Sequence, residues 1–501
     1  MRRLSPAALS IIILFCCSFV FGQAPGTSKS KHDAGSRTLD LSRMNRIPDD
    51  DVEIPERAFP GRGGKVDWGL ALSGGGVRSG AFSIGIMKAL YETGLMDDID
   101  VISSVSGGGY GAYWLYRSYD RDPKLKFGEG VFDDKVFVRD LCELEQKSDF
   151  YSIGNIFLNF FRSRNGAFNS YESSIRRTFS SGSREKVEIG RLNGDISAAR
   201  VPFFILNTSV GGKETEPLRN VLELIPTYVG NEKFLYYSWI NEYDQISHHS
   251  ESAATSAAAI RFKLSRRIPD QSDPAKILDL ADGGLLENTG ALALIRRGVK
   301  NVIIVDAEND PAYKFEAYNK LKSWLYDRYD IELNIKEIED FLSSRNKIFS
   351  TAAVAKGYAR TKTGSKKWKI NVDSAVYYIK MSRPGVIFNN INEQSPQYKK
   401  GEAFIKRRDQ VFKSGGRSCA ALTGMTFDED MFVYRVRRYS HFLNDEWLLR
   451  GVVKITPWLN YNFPQTTTLD QTFDKRQFEA FVGLGYLQAK GVRDRTNDIV
   501  H

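Results

Sequence analysis

The sequence predicts an α/β fold, a mostly parallel central sheet with helices on both faces. Three observations lead there. Two short apolar runs, Trp68–Leu72 and Val101–Val105, each enter a glycine-rich turn and then a segment with helical apolar spacing. Two later runs, Phe203–Thr208 (FFILNT) and Asn301–Asp306 (NVIIVD), are almost continuously apolar, as strands covered on both faces are. Segments of helical period lie between these runs, so strands and helices alternate.

Taken in order, the chain opens on Arg2 and Arg3, followed by an apolar run over Ala7–Phe21. With Val20 and Gly22 at −3 and −1 of a cut before Gln23, residues 1–22 read as a secretory signal peptide. An uncleaved anchor is the alternative, for which the run is short. Residues 23–62 are polar and read as an exposed linker leading into a domain over 63–490. After the strand at Trp68–Leu72, apolar residues from Ala81 to Tyr91 predict a helix that stops at Gly94. A second helix is expected over Gly109–Tyr119, after the strand at Val101–Val105. Further expected elements are an alanine-rich helix over Ala253–Ile260, a strand over Lys276–Leu280, a helix over Thr289–Arg297 and a strand over Val376–Met381. Residues 311–362 are charged and amphipathic and read as a helical insertion or cap, 384–445 as polar and irregular, and Lys475–Leu487 as a terminal helix.

Composition narrows the class. The chain has 501 residues, 42% hydrophobic, enough for a large core. A formal charge of +9 is mild at this length and suits an anionic membrane surface. It does not indicate nucleic acid, since no basic cluster is interleaved with aromatics. Cys16 and Cys17 leave with the signal, so Cys142 and Cys419 remain, either as one disulfide in an oxidising compartment or as two buried thiols. No Cys/His spacing suggests a metal.

Acyl hydrolysis needs a nucleophile, a base and donors for an oxyanion. Ser106 lies between a strand and a helix in Ser104-Val105-Ser106-Gly107-Gly108, close to a G-x-S-x-G elbow with Ser104 in the first glycine position. Its place at a helix N-terminus favours a developing alkoxide. Gly74, Gly75 and Gly76 follow the preceding strand and free backbone N–H groups that suit an oxyanion hole. A phosphate loop fits less well, because no Gly-Lys-Ser/Thr closes the motif. Arg78 either faces a lipid phosphate or pairs with an acidic neighbour. The base has two readings. Ser106, Asp282 and His441 follow α/β-hydrolase chain order, yet the surroundings of His441 carry no loop signal. Of the five histidines, His32 is in the linker, His501 is terminal, and His248 and His249 read as surface residues. Alternatively Asp282, at the end of an apolar strand in Leu280-Ala281-Asp282-Gly283-Gly284, takes the proton itself, with burial raising its pKa.

SGGGVRSG, SVSGG and DGG in this order resemble the patatin-like phospholipases, including bacterial relatives of the group IV cytosolic enzymes. The resemblance spans roughly residues 66–310, with weaker echoes at Phe463-Pro464 and Gln477–Phe481. It implies a three-layer α/β/α sandwich and a Ser106–Asp282 dyad with Gly74, Gly75 and Gly76 as oxyanion loop. It implies no metal or cofactor in the site, and membrane glycerolipids as substrates. An acyltransferase using the same site and a non-catalytic lipid-binding protein are the other classes left open.

Overall fold

A computed structural model describes residues 66–147, 164–180, 185–211, 220–226, 228–231, 235–238, 248–257, 266–270, 273–343, 354–382, 391–445, 463–465, 473, 475–490 and 492. The expected signal peptide and linker lie outside these residues.

The strands are β1 (Trp68–Leu72), β2 (Val101–Val105), β3 (Phe203–Gly211), β4 (Asn220–Leu224), β5 (Tyr228–Asn231), β6 (Leu235–Ser238), β7 (Arg266–Asp270), β8 (Asp273–Asp282), β9 (Asn301–Asp306), β10 (Ile331–Asn334), β11 (Ala355–Thr361) and β12 (Asp373–Lys380). They form one mixed sheet in the order β10-β11-β12-β9-β1-β2-β3-β4-β5-β6, with β8 added on β3 and β7 on β8. The five strands β12-β9-β1-β2-β3 run parallel, and the flanking pairs are antiparallel. Every residue of β2 and all but the first of β1 and β9 are buried, as both faces of a parallel sheet must be.

The longer helices are α1 (Gly76–Glu92), α2 (Gly108–Arg121), α3 (Asp134–Lys147), α4 (Arg164–Phe179), α5 (His249–Ser256), α6 (Glu316–Tyr329), α7 (Lys336–Ser343), α8 (Pro396–Ser414), α9 (Asp430–Asp445) and α10 (Lys475–Ala489). Gly94 stands just past α1 at φ 77°, a left-handed stop that glycine adopts without a Cβ penalty. Helix α10 lies on α1, backbone against backbone. A Cβ on Gly85 would meet the Val482 carbonyl oxygen at 1.8 Å, and one on Gly485 the Phe82 carbonyl oxygen at 2.1 Å.

Three expectations are corrected. Residues 311–362 are not all helix: α6 and α7 alternate with β10 and β11, which extend the sheet beyond β12. The four residues of β10 (IELN) bury only alternate positions, too short a pattern to show against a Glu- and Lys-rich background. Residues 384–445, expected to be irregular, contain α8 and α9. The buried side of α8 consists of Tyr398, Gly401, Ile405 and Arg408, so half of its stripe is not apolar and no periodicity shows in the sequence. The helix expected over Thr289–Arg297 is a single turn at Leu292–Ile295. Arg408 is buried because it pairs with Glu145 at 3.4 Å and with Glu479, which Arg435 also meets. These charges join α3, α8, α9 and α10. Cys142 of α3 and Cys419 form a disulfide with 5.7 Å between Cα atoms.

Candidate active site

The register of β3 brings the two halves of the site together. One edge of β3 pairs with β4 over Leu206–Val210. The opposite edge is shared: β2 pairs with Phe203–Asn207, and β8 takes over at Thr208–Gly211. Strand β2 is parallel to β3 and β8 antiparallel, so their C-terminal ends meet head to head. Val105 lies across from Asn207, and Asp282 across from Thr208. Ser106 follows the first of these ends and Asp282 is the second.

Ser106 sits at φ 51°, a left-handed conformation uncommon for a residue with a side chain. Such strain persists only where the surroundings fix it. Its amide N–H donates to Ser256 Oγ at 2.8 Å, and its Oγ donates to Asp282 Oδ2 at 2.9 Å. Asp282 Oδ1 accepts the Gly284 N–H at 2.8 Å. The carboxylate is thus clamped on one oxygen and faces the Ser106 hydroxyl with the other. Burial pushes its pKa up to about 6, against the opposing effects of the Gly284 amide and the Ser106 hydroxyl. Ser106 itself is 6% exposed, while Asp282 keeps a partly open side.

The two glycine turns pack directly on each other. A Cβ on Gly107 would lie 2.0 Å from the Gly76 carbonyl oxygen. Gly75 has φ 143° and Gly76 φ 64°, which turn the chain from β1 into α1. The Gly74 N–H is already used: it donates to the Asn288 carbonyl at 2.9 Å. This takes Gly74 out of the three amides expected as oxyanion donors. Gly74 serves as space instead, for a Cβ there would lie 2.2 Å from Asn288 Oδ1 and 3.1 Å from Ser106 Cβ.

Residues 70–295 match the family model for the patatin-like phospholipases. This chain carries a patatin-like phospholipase domain. In structure it is similar to human GIVD cytosolic phospholipase A2 at 12% identity and a TM-score of 0.55, covering 89% of this chain and 64% of that one. The same human protein in complex with methyl gamma-linolenyl fluorophosphonate gives a TM-score of 0.52 at 12% identity, covering 89% of this chain and 63% of that one. At that identity the likeness is one of fold, and this chain spans less than two thirds of the human one. No curated protein matches the sequence.

The other predicted residues of the patatin-like domain are placed as follows. Arg78 is 1% exposed and donates through Nη2 to the Ala307 carbonyl at 2.9 Å. Burial lowers its pKa to about 10, partly offset by Asp306 and Glu308. The bond given for the guanidinium is thus to a main-chain carbonyl at the end of β9, with no ion pair to an acidic side chain among the described residues. Ser73 accepts the Ala307 N–H on its Oγ at 2.7 Å. His249 is not a surface residue. It is 4% exposed, stacks on Phe204 at 4.7 Å between ring centroids, and is held neutral by burial and by Arg117, with its pKa lowered to about 3. It begins α5 whereas Ser256 ends it, about 10 Å apart at helical rise. His248 is part-exposed and bonds Glu251 at 2.9 Å. His441 falls inside α9 and not on a loop; its side chain, His32 and His501 lie outside the described residues.

Sequence reasoning missed Asn207, Ser256 and Asn288. Asn207 Nδ2 donates to Ser103 Oγ and to the Ser104 carbonyl, both at 2.9 Å, which locks the end of β2. The one signal for Ser256 was its place in an alanine-rich helix, where a hydroxyl among small buried neighbours needs a partner.

Proposed function

We propose that this protein is a serine hydrolase of glycerolipid carboxyl esters working through a Ser106–Asp282 dyad. The observation that carries the reading is the 2.9 Å hydrogen bond from Ser106 Oγ to Asp282 Oδ2. Oγ attacks the acyl carbonyl carbon as its proton passes to Oδ2. The Gly75 and Gly76 amides, at the positive end of α1, stabilise the oxyanion, an effect worth about 3 kcal/mol where such a donor has been removed from other hydrolases. The tetrahedral intermediate collapses, the leaving alcohol takes the proton from Asp282, and an acyl-enzyme remains. Asp282 then deprotonates a water that attacks the acyl carbonyl, releasing a fatty acid and restoring Ser106. Patatin-like family membership supports lipid hydrolysis in general; the dyad, the acyl-enzyme and the glycerolipid substrate are this proposal's own. We infer also that the protein is exported to an oxidising, membrane-facing location, on the strength of the N-terminal apolar run and the Cys142–Cys419 pair.

The test is a panel of phospholipids, lysophospholipids and neutral glycerolipids, assayed with wild type and variants in parallel. Ser106→Ala and Asp282→Asn are expected to abolish release of fatty acid, and His441→Ala to retain it. Turnover surviving in either dyad variant, or lost in His441→Ala alone, sinks the dyad. Adding a lipid alcohol as acceptor separates hydrolysis from acyl transfer by product analysis.

A further inference from the structure

The Ser106 amide raises a question of its own. At φ 51° the residue has left the β2 ladder, because the pairing of β2 with β3 ends at Val105 and Asn207. Its N–H is buried with no strand to receive it, and a buried unsatisfied amide is costly. The acceptor comes from outside the elbow. Ser256 Oγ, at the last residue of α5, takes this N–H at 2.8 Å and is itself 0% exposed. Helix α5 in turn packs on β3, where Thr208 Oγ1 donates its proton to the Ala281 carbonyl of β8 and lies 3.5 Å from the Thr255 carbonyl. Thr208 is the residue that pairs with Asp282. One short path therefore runs from the base through β3 and α5 to the nucleophile's backbone.

We infer that Ser256 is a positioning residue for the hydrolysis, acting through the Ser106 amide. The inference rests on the dyad reading above. Fixing that N–H fixes the plane of the 105–106 peptide, and so the direction of the Ser106 Cα–Cβ bond toward Asp282 Oδ2. It also removes the Ser106 amide from the oxyanion donors, leaving that task to Gly75 and Gly76. Without the Ser256 acceptor, the elbow relaxes toward ordinary dihedrals and Oγ swings away from the carboxylate. Displacements of this size lower reactivity with little effect on binding.

The experiment compares wild type, Ser256→Ala and Ser106→Ala, using p-nitrophenyl butyrate turnover and the rate of fluorophosphonate labelling, each per mole of folded protein. Ser256→Ala is expected to lower kcat and the labelling rate by about tenfold to a hundredfold, with KM within about twofold. A second pair, Ser256→Thr and Ser256→Val, differs only in the acceptor oxygen and covers the case in which the alanine variant does not fold. Thr is expected to react faster than Val by a similar factor. Kinetics in Ser256→Ala within twofold of wild type, or equal rates in the Thr and Val variants, overturn the inference while leaving the dyad standing. Wild type that neither labels nor turns over fails the dyad reading itself, and this inference with it.

Discussion

Asp282 answers to two opposing demands. As the base of the proposed mechanism it must be ionised; as a group packed among β3, β8 and the glycine turns it is penalised for ionising. Its folded pKa of about 6, raised from 3.8, records the compromise. Two outcomes follow from one titration. kcat/KM is expected to rise with pH up to about 6 and then level off, because only the carboxylate accepts the Ser106 proton. Stability moves the other way. Below 3.8 the acid is neutral folded and unfolded, so burial costs nothing extra; between 3.8 and about 6 the unfolded chain ionises first and the native state loses ground. Asp282→Asn escapes this cost and can keep an oxygen on the Gly284 amide. It is expected to gain on wild type across that window, reaching up to about 3 kcal/mol above pH 6. Denaturant unfolding at pH 4 and pH 8 checks this: an advantage that does not grow between them contradicts the raised pKa. Ser106 and Asp282 were legible in the sequence because each sits where an apolar strand breaks into glycines. Ser256 was not, since its importance lies in the one amide it meets, on a residue 150 positions away.

Among elements, α1 and α10 carry a connection that the family match over residues 70–295 does not contain. The Gly74–Gly76 turn opens α1, and α10 grips its middle through Gly85 and Gly485. Exposed helical glycines are stabilised by alanine. Gly485→Ala is expected to do the opposite and destabilise by about 1–3 kcal/mol, because the added methyl would enter the Phe82 carbonyl and force the helices apart. Gly194→Ala is the control, with nothing within 4 Å of its Cβ. Equal denaturation midpoints for the two variants would mean that the helices are not in contact. The central strands and both helices after the glycine turns stood out in the sequence because burial on two faces leaves unbroken apolar runs. The edge strand β10, only four residues long, and its half-exposed neighbour β11 did not, and α8 hid behind a buried stripe containing a glycine and a paired arginine.

Across the whole molecule, the link between Cys142 and Cys419 closes 277 residues of chain and ties α3 to the segment between α8 and α9. The sequence left the pair open, because cysteine count does not give geometry. Cys142→Ser and Cys419→Ser are each expected to lose about 2–4 kcal/mol of stability, with reductant producing the same loss in wild type. A non-reducing peptide map in which these two cysteines appear as free thiols would refute the link. The head-to-head ends of β2 and β8 have a wider consequence. The gap between Ser106 and Asp282 is metered by a single peptide step in β3, a strand that contributes neither side chain. A strand does not stretch, and sliding β8 by one residue would turn its side chains to the opposite face. The spacing is therefore quantised. An imidazole inserted between serine and aspartate would need a gap wider than this register provides, so under the proposed mechanism the proton makes a single direct hop, and a third partner could be admitted only by re-threading the sheet.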